Sequence, residues 1–277
     1  MPKSSSFAPA LYRDAQALDV AALDRGLEFG DGLFETLRIA QGRLVDWPAH
    51  YERLALGAAR LGLTCPPLAQ WAPYLPPNLS AIDEGVCKFI LTRGQGGTGY
   101  SPRAHAPSRV YTLVTPPRRG PEIADYTVGV LSTPMMLHPI LAGLKTLNRL
   151  DSVLARLELQ QHPHWHDGLM TDGKGHVLCA SLGNVFFQIN GHWITPSVEE
   201  GGIAGCVRRR LIEHWPSDFG RLQQRAIRLE ELALVQSAFV TNSLIGVQPI
   251  HCLGSTRLGH AEAPSVLRDL LNRLWGL

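Results

Sequence analysis

No run of about eighteen consecutive apolar residues occurs in the chain, so the sequence offers no membrane-crossing helix. The net charge is only +2, and no basic stripe accompanies it, which argues against recognition of nucleic acid through its phosphates. Arg208-Arg209-Arg210 is a short basic run on a predicted helix and reads as a solvated face. The five cysteines, Cys65, Cys87, Cys179, Cys206 and Cys252, are odd in number and contain no CxxC pair. That pattern fits reduced thiols in a cytoplasmic protein better than a disulfide framework. The opening Met-Pro-Lys-Ser-Ser-Ser lacks the apolar centre of a signal peptide. Internal repeats and low-complexity tracts are missing as well.

What is present is core material. Of the 277 residues, 45% are hydrophobic and 18% charged, an ordinary globular balance in a chain long enough for two domains. Leu33–Ile39 alternates apolar and polar residues as a half-buried strand does, and Gln41-Gly42 turns it into a second strand over Arg43–Trp47. Pro48 opens a helix with Tyr51, Leu54, Ala58 and Leu61 on one face, closed by Gly62. Strands are predicted at Val86–Thr92, Arg109–Val114 and Val128–Leu131. The Pro116–Pro121 stretch between the last two reads as an exposed connection. Hairpins dominate the second half: Gly168–Thr171 with His176–Cys179, then Val185–Ile189 with His192–Thr195 around Asn190-Gly191. A helix carrying Val207, Leu211, Ile212 and Trp215 follows the glycine turn at 200–205. Ala238–Thr241 is a short strand, and an amphipathic helix runs from Pro264. The mixture predicts α+β domains rather than a regular βαβ array.

Gly94-Gln95-Gly96-Gly97-Thr98-Gly99 satisfies GxGxxG. Tyr100-Ser101-Pro102 follows where a dinucleotide site needs a helix, so the segment reads as a ligand-facing loop flanked by Arg93 and Tyr100. His162, His164 and His166 lie close together, but no second ligand group accompanies them, and no metal site is expected.

Lys145 is the residue with the most chemistry. It stands in the apolar segment Leu141–Leu150, just ahead of a helix, where burial disfavours its ammonium and makes it a nucleophile or Schiff-base former. Phosphate seats are available at the helix-opening Gly205-Cys206-Val207, at the strand end Thr241-Asn242, and at Arg53. Each alone is equally an ordinary junction, cap or surface charge. Together with Lys145 they suggest pyridoxal phosphate.

Five segments carry a family resemblance: Asp24–Thr36, His50-Tyr51-Glu52-Arg53-Leu54, Arg93–Pro102, Lys145-Thr146-Leu147-Asn148-Arg149-Leu150, and Gly202–Val207 with Thr241-Asn242. In these the chain resembles the fold-type IV pyridoxal-phosphate enzymes of the branched-chain-aminotransferase-like superfamily, and within them the aminodeoxychorismate lyases. The match is weakest in about the first twenty residues, Trp71–Asp83 and about the last twenty-five. It implies a two-domain α+β architecture like that of D-amino-acid aminotransferase: residues 1–117 form a smaller N-terminal domain, 118–123 a linker, and 124–277 a larger C-terminal domain carrying the lysine. It implies a homodimer with pyridoxal 5′-phosphate on Lys145, the cofactor being held by Arg53, Gly205, Cys206, Val207, Thr241 and Asn242. The implied reaction is that of a carbon–carbon oxo-acid lyase of folate biosynthesis, 4-amino-4-deoxychorismate giving 4-aminobenzoate and pyruvate, with Arg93 and Tyr100 on the substrate carboxylates. One departure stands out: the family pattern places a glutamate against the pyridine nitrogen, and Cys179 occupies that position here. Two alternatives therefore stay open, an aminotransferase for D- or branched-chain amino acids and a noncatalytic relative with weakened cofactor binding.

Overall fold

The computed structural model describes residues 11–13, 16–18, 23–104, 106–117, 123, 125–259 and 263–277. The expected linker residues 118–122 lie outside the described residues. Its elements begin with an antiparallel pair, β1 (Leu11–Arg13) and β2 (Gln16–Leu18). Then come α1 (Arg25–Phe29), β3 (Gly32–Ala40), β4 (Arg43–Leu44) and α2 (Trp47–Leu61). They are followed by β5 (Glu84–Thr92), β6 (Gly97–Thr98), β7 (Ser101–Pro102) and β8 (Arg109–Thr115).

Strands β4-β3-β5-β8 form an antiparallel sheet, with α2 packed on one face. Along β3 the side chains alternate, so Leu33, Glu35, Leu37 and Ile39 share the face that is buried. Leu33, Leu37, Ile39, Leu54, Ala58, Trp71, Phe89 and Leu91 make that core. Glu35 is thus delivered into an apolar layer by strand period alone. The Arg43–Trp47 strand is cut short at Leu44, because Asp46 adopts a left-handed conformation (φ 52°) and α2 starts at Trp47.

From Thr127 onward the elements are β9 (Thr127–Val130), α3 (Leu150–Leu159), β10 (Asp167–Thr171), β11 (His176–Ala180), β12 (Asn184–Ile189) and β13 (His192–Thr195). The chain continues through α4 (Cys206–Glu213), β14 (Leu222–Gln224), β15 (Ile227–Arg228), β16 (Val235–Asn242), β17 (Gly246–Ile250), β18 (Cys252–Leu253), β19 (Thr256–Arg257) and α5 (Ala263–Trp275). Two sheets result, ordered β15-β11-β10-β9-β18-β19 and β14-β13-β12-β16-β17. Val128, Leu169 and Val177 from the first pack against Val185, Phe187 and Val240 from the second. Helices α4 and α5 cover the second sheet through Leu211, Leu267 and Leu271 against Phe186, Trp193 and Phe239. Helix α3 lies on the first sheet through Ala155 and Leu159.

The Asn190-Gly191 turn has both residues at positive φ (50° and 76°), as a type I′ hairpin requires. Trp215 falls beyond α4, which ends at Glu213 ahead of Pro216. Strand β17 tolerates Pro249 because it lies at a sheet edge. No helix among the described residues is long and apolar enough to cross a membrane.

Candidate active site

The segment bearing Lys145 is held on both sides by backbone hydrogen bonds. On one side Phe34 N–H donates to Lys145 O (2.9 Å) and Leu147 N–H to Gly32 O (3.0 Å), extending the β3 edge. On the other, Gly143 N–H donates to Gly202 O and Ala204 N–H to Gly143 O, each at 3.0 Å. The lysine assigned by sequence to the C-terminal half is therefore stapled to the N-terminal sheet and to the 202–204 loop at once. Its Nζ lies 4.3 Å from the Phe34 ring centroid. Burial lowers the Lys145 pKa to about 8; the Arg53 and Arg149 guanidiniums push the same way, and Glu35 opposes them. An amine with that value is substantially neutral near pH 8, which suits a nucleophile or a general base.

Glu35 is the hub beneath the lysine. Its Oε1 accepts from Arg53 Nε (2.8 Å), and its Oε2 accepts from Arg53 Nη2 and lies 2.6 Å from His50 Nδ1. His50 and Arg53 are three apart on α2, so one helical face presents both to the strand. Burial works against the Glu35 charge, but the two cations hold its pKa well below the carboxylate range. His50 is raised in turn: burial disfavours its charge, and Glu35 more than compensates. Glu35, His50 and Cys206 bring an oxygen, a nitrogen and a sulfur within 4.8 Å of one another. The strand period that faces Glu35 inward with Leu33 and Leu37 is the sequence signal for this hub.

Arg53 Nη1 donates to Ala204 O (3.0 Å), which ties the hub to the loop entering α4. Next to Ala204, Gly205 lies so close to Asn184 that an added Cβ would stand 2.1 Å from its Oδ1. Asn184 Nδ2 donates to Ile203 O (2.9 Å), and Asn184 pairs across the sheet with Thr241. Arg53, Gly205, Cys206 and Thr241 are thus linked contact by contact around one end of the site. Thr241 Oγ1 is buried with no hydrogen-bond partner. A buried hydroxyl lacking a partner, the amides at the α4 N-terminus and a guanidinium make a natural phosphate cradle. These residues fit the phosphate end of the expected cofactor, and Lys145, within electrostatic reach of Arg53 and Cys206, would take its aldehyde end. The Val207 side chain is in the core, so only its amide would face the phosphate.

Other expected residues are placed differently. Asn242 is engaged in a turn, its Oδ1 accepting from Leu244 and Ile245 N–H at 2.9 Å and its Nδ2 donating to Leu182 O. Cys179 packs among Leu131, Met135, Met170 and Leu178, and burial pushes its thiol up to about 12, so it stays protonated and neutral. Arg93 is anchored: Nε donates to Asp31 (2.8 Å), Nη1 to Gly62 O and Nη2 to Leu61 O, closing the end of α2. Those contacts use three of its five N–H groups and fix the guanidinium at the end of α2. Tyr100 is 87% exposed, with its ring 5.5 Å from Phe29. The glycine loop before it forms the β6–β7 ribbon rather than opening a helix, and Arg25 fastens it by donating to Gly99 O and Tyr100 O. Arg149 is a cation with a buried Nε that has no hydrogen-bond partner, and its charge is felt by Lys145.

Comparison with known proteins follows the same line. Residues 32–253 match the amino-transferase class IV family. Aminodeoxychorismate lyase of Vibrio harveyi is 30% identical over 238 residues, covering 82% of this chain and 84% of the relative. The crystal structure of 4-amino-4-deoxychorismate lyase from Pseudomonas aeruginosa superposes with TM-score 0.85 at 32% identity, covering 94% of this chain and 97% of that one. A hypothetical aminotransferase from Mycobacterium tuberculosis in its PLP-bound form shares the fold at TM-score 0.75 and 21% identity, covering 95% and 96% of the two chains.

Proposed function

Because the chain belongs to the amino-transferase class IV family, we propose that it is a pyridoxal-phosphate lyase that converts 4-amino-4-deoxychorismate to 4-aminobenzoate and pyruvate. The observation that carries this reading is Lys145, with its lowered pKa, seated beside a cradle that ends at the partnerless Thr241 hydroxyl. The 30% and 32% identity to lyases favours that reaction over amino transfer. Arg53, the amides of Cys206 and Val207, and Thr241 hold the cofactor phosphate, and Lys145 holds its aldehyde carbon. Bound there, the cofactor supplies an electron sink conjugated to the substrate amine.

Once the substrate amine has taken its place on the aldehyde carbon, the freed Lys145 Nζ takes the proton from the ring carbon bearing the amine. The ring becomes aromatic as the ether C–O bond breaks, and the lysine returns the proton to the methylene of the departing enolpyruvyl group. Arg149 Nε is the free donor for a substrate carboxylate. The neutral Cys179 thiol offers no negative charge to a pyridine nitrogen. That loss weakens amino transfer, which leans on the electron sink, more than an elimination driven by aromaticity. The test is product formation from 4-amino-4-deoxychorismate, with Arg149→Ala expected to raise KM about tenfold, the worth of one charge-assisted hydrogen bond. An unchanged KM removes Arg149 from the substrate site.

The reading includes a homodimer. Leu150, Val153, Leu154 and Leu157 follow the i, i+3, i+4, i+7 spacing of one helical face on α3, and all four are exposed. A second copy of the chain covering this stripe accounts for its exposure. Sedimentation velocity should give about twice the 30.3 kDa chain mass, and Leu154→Glu should shift it to the monomer. A wild-type monomer at micromolar concentration contradicts the dimer.

A further inference from the structure

A cavity of about 1000 Å³ opens between α2, the 139–144 segment and α4. It shares Arg53, Gly205 and Cys206 with the phosphate cradle as a common wall, but Lys145, Val207 and Thr241 do not line it. Its other walls are mixed. Leu56, Ile140, Val198 and Ile212 are apolar, while Arg60, Arg208 and Arg209 bring positive charge.

The unusual group is Arg208. It is 5% exposed, and its guanidinium reaches three neutral acceptors: Thr195 Oγ1 (3.4 Å), Pro196 O (3.0 Å) and Gln224 Oε1 (3.0 Å). Among the described residues no carboxylate forms an ion pair with it, and burial alone pulls its pKa down to about 10. Buried charges in proteins are ordinarily paired, because desolvation is costly. The neighbouring arginines obey that rule: Arg53 is paired with Glu35, Arg209 with Glu52 (2.9 Å), and Arg210 with Asp46 (2.7 Å). Arg60, on the same cavity wall, donates to Ala142 O (2.8 Å) and likewise forms no ion pair among the described residues. The acids on the wall do not fill the gap. Glu52 and Glu213 serve Arg209, and Glu199 is exposed to solvent.

We propose that this cavity is a second small-molecule site, taking an organic oxyanion whose charged group sits on Arg208 and Arg60 and whose body lies on Leu56, Ile140 and Ile212. The missing counter-ion of Arg208 is the ligand's. Gln224 is the determinant, since a carboxylate in its place would neutralise Arg208 internally and take away the buried charge the anion needs.

Thermal unfolding of the enzyme saturated with pyridoxal phosphate, titrated with inorganic phosphate or with benzoate against chloride at equal ionic strength, tests this. Loading the cofactor first keeps the added anion out of the phosphate cradle. The expected result is a saturable rise of about 3 °C in Tm at ten times Kd with at least one of the two. A response to phosphate alone points to a phosphate ester, and a response to benzoate alone to an aromatic carboxylate. Gln224→Glu should raise the Tm without anion and abolish the response, and Arg60→Ala should weaken Kd about tenfold. Because Gln224→Glu adds a partner rather than removing one, the test does not hinge on a variant that fails to fold. No saturable response in the wild type, or an undiminished response in Gln224→Glu, overturns the proposal.

Discussion

Replacing Lys145 with alanine should abolish turnover of 4-amino-4-deoxychorismate, lowering kcat/KM by about 10⁴-fold or more. The size of the effect follows from one amine doing two tasks: it anchors the cofactor, and it carries the proton from ring carbon to enolpyruvyl methylene. The fold should survive, because Lys145 brings a half-buried charge disfavoured by burial and by the Arg53 and Arg149 guanidiniums. The variant should lose the visible absorbance band of lysine-linked cofactor while keeping weakened affinity for pyridoxal phosphate through the Arg53 and Thr241 end. In the wild type, uptake of cofactor by the free enzyme should depend on pH through the same amine. Only the neutral form reacts, so the rate should rise about tenfold per unit as pH increases toward about 8 and level off above it. Retention of the band or of turnover in Lys145→Ala assigns the chemistry to another residue.

The second large effect belongs to Glu35, which touches no substrate. Glu35→Gln keeps the shape but leaves the Arg53 guanidinium and His50 facing each other in a buried layer without their shared counter-charge. Breaking a buried network from one side costs about 3–5 kcal/mol, which is roughly 10 °C in Tm for a chain of this size. Affinity for the cofactor should fall as well, because Arg53 no longer has a fixed direction toward the cradle. The pH dependence has a definite sign. Glu35 is depressed in the fold, so its contribution is present above its ordinary 4.5 and fades as pH falls through the lower folded value. His50 is raised, so its contribution is complete below its ordinary 6.5 and is lost as pH climbs through about 9. The Tm gap between wild type and Glu35→Gln should therefore be widest between about pH 4.5 and 6.5 and narrow toward pH 9 and above. A gap below about 1 kcal/mol at pH 6 shows that the hub does not hold the α2–β3 layer together.

Much of the architecture is written locally. The alternation over Leu33–Ile39, the Pro48 and Gly62 ends of α2, the Asn190-Gly191 turn and the leucine stripe of α5 each have a cause within a few residues, and each is found where that cause puts it. Strands β14, β15, β18 and β19 are two or three residues long and exist only through pairing with distant partners, so no local period marks them. The site divides the same way. Lys145 is conspicuous because lysine in an apolar segment demands a reason, and the cradle residues because helix and strand ends leave backbone donors free. Arg93 has a task that local reading does not show: it closes α2 by reaching Leu61 and Gly62, about thirty residues earlier in the chain. Glu35 was legible in principle from its parity with Leu33 and Leu37. What the sequence could not give was its pair of partners on α2, which depends on how helix and sheet meet.

The most direct measurement supplies the purified chain with pyridoxal phosphate and 4-amino-4-deoxychorismate and follows both products. Pyruvate is read by its enzymatic reduction and 4-aminobenzoate by fluorescence, with D-alanine and branched-chain amino acids plus a keto-acid acceptor run in parallel. The expected result is equimolar pyruvate and 4-aminobenzoate, lost in Lys145→Ala, with little keto acid formed from the amino acids. Keto-acid formation without pyruvate from 4-amino-4-deoxychorismate, or no product in either arm, contradicts the lyase assignment.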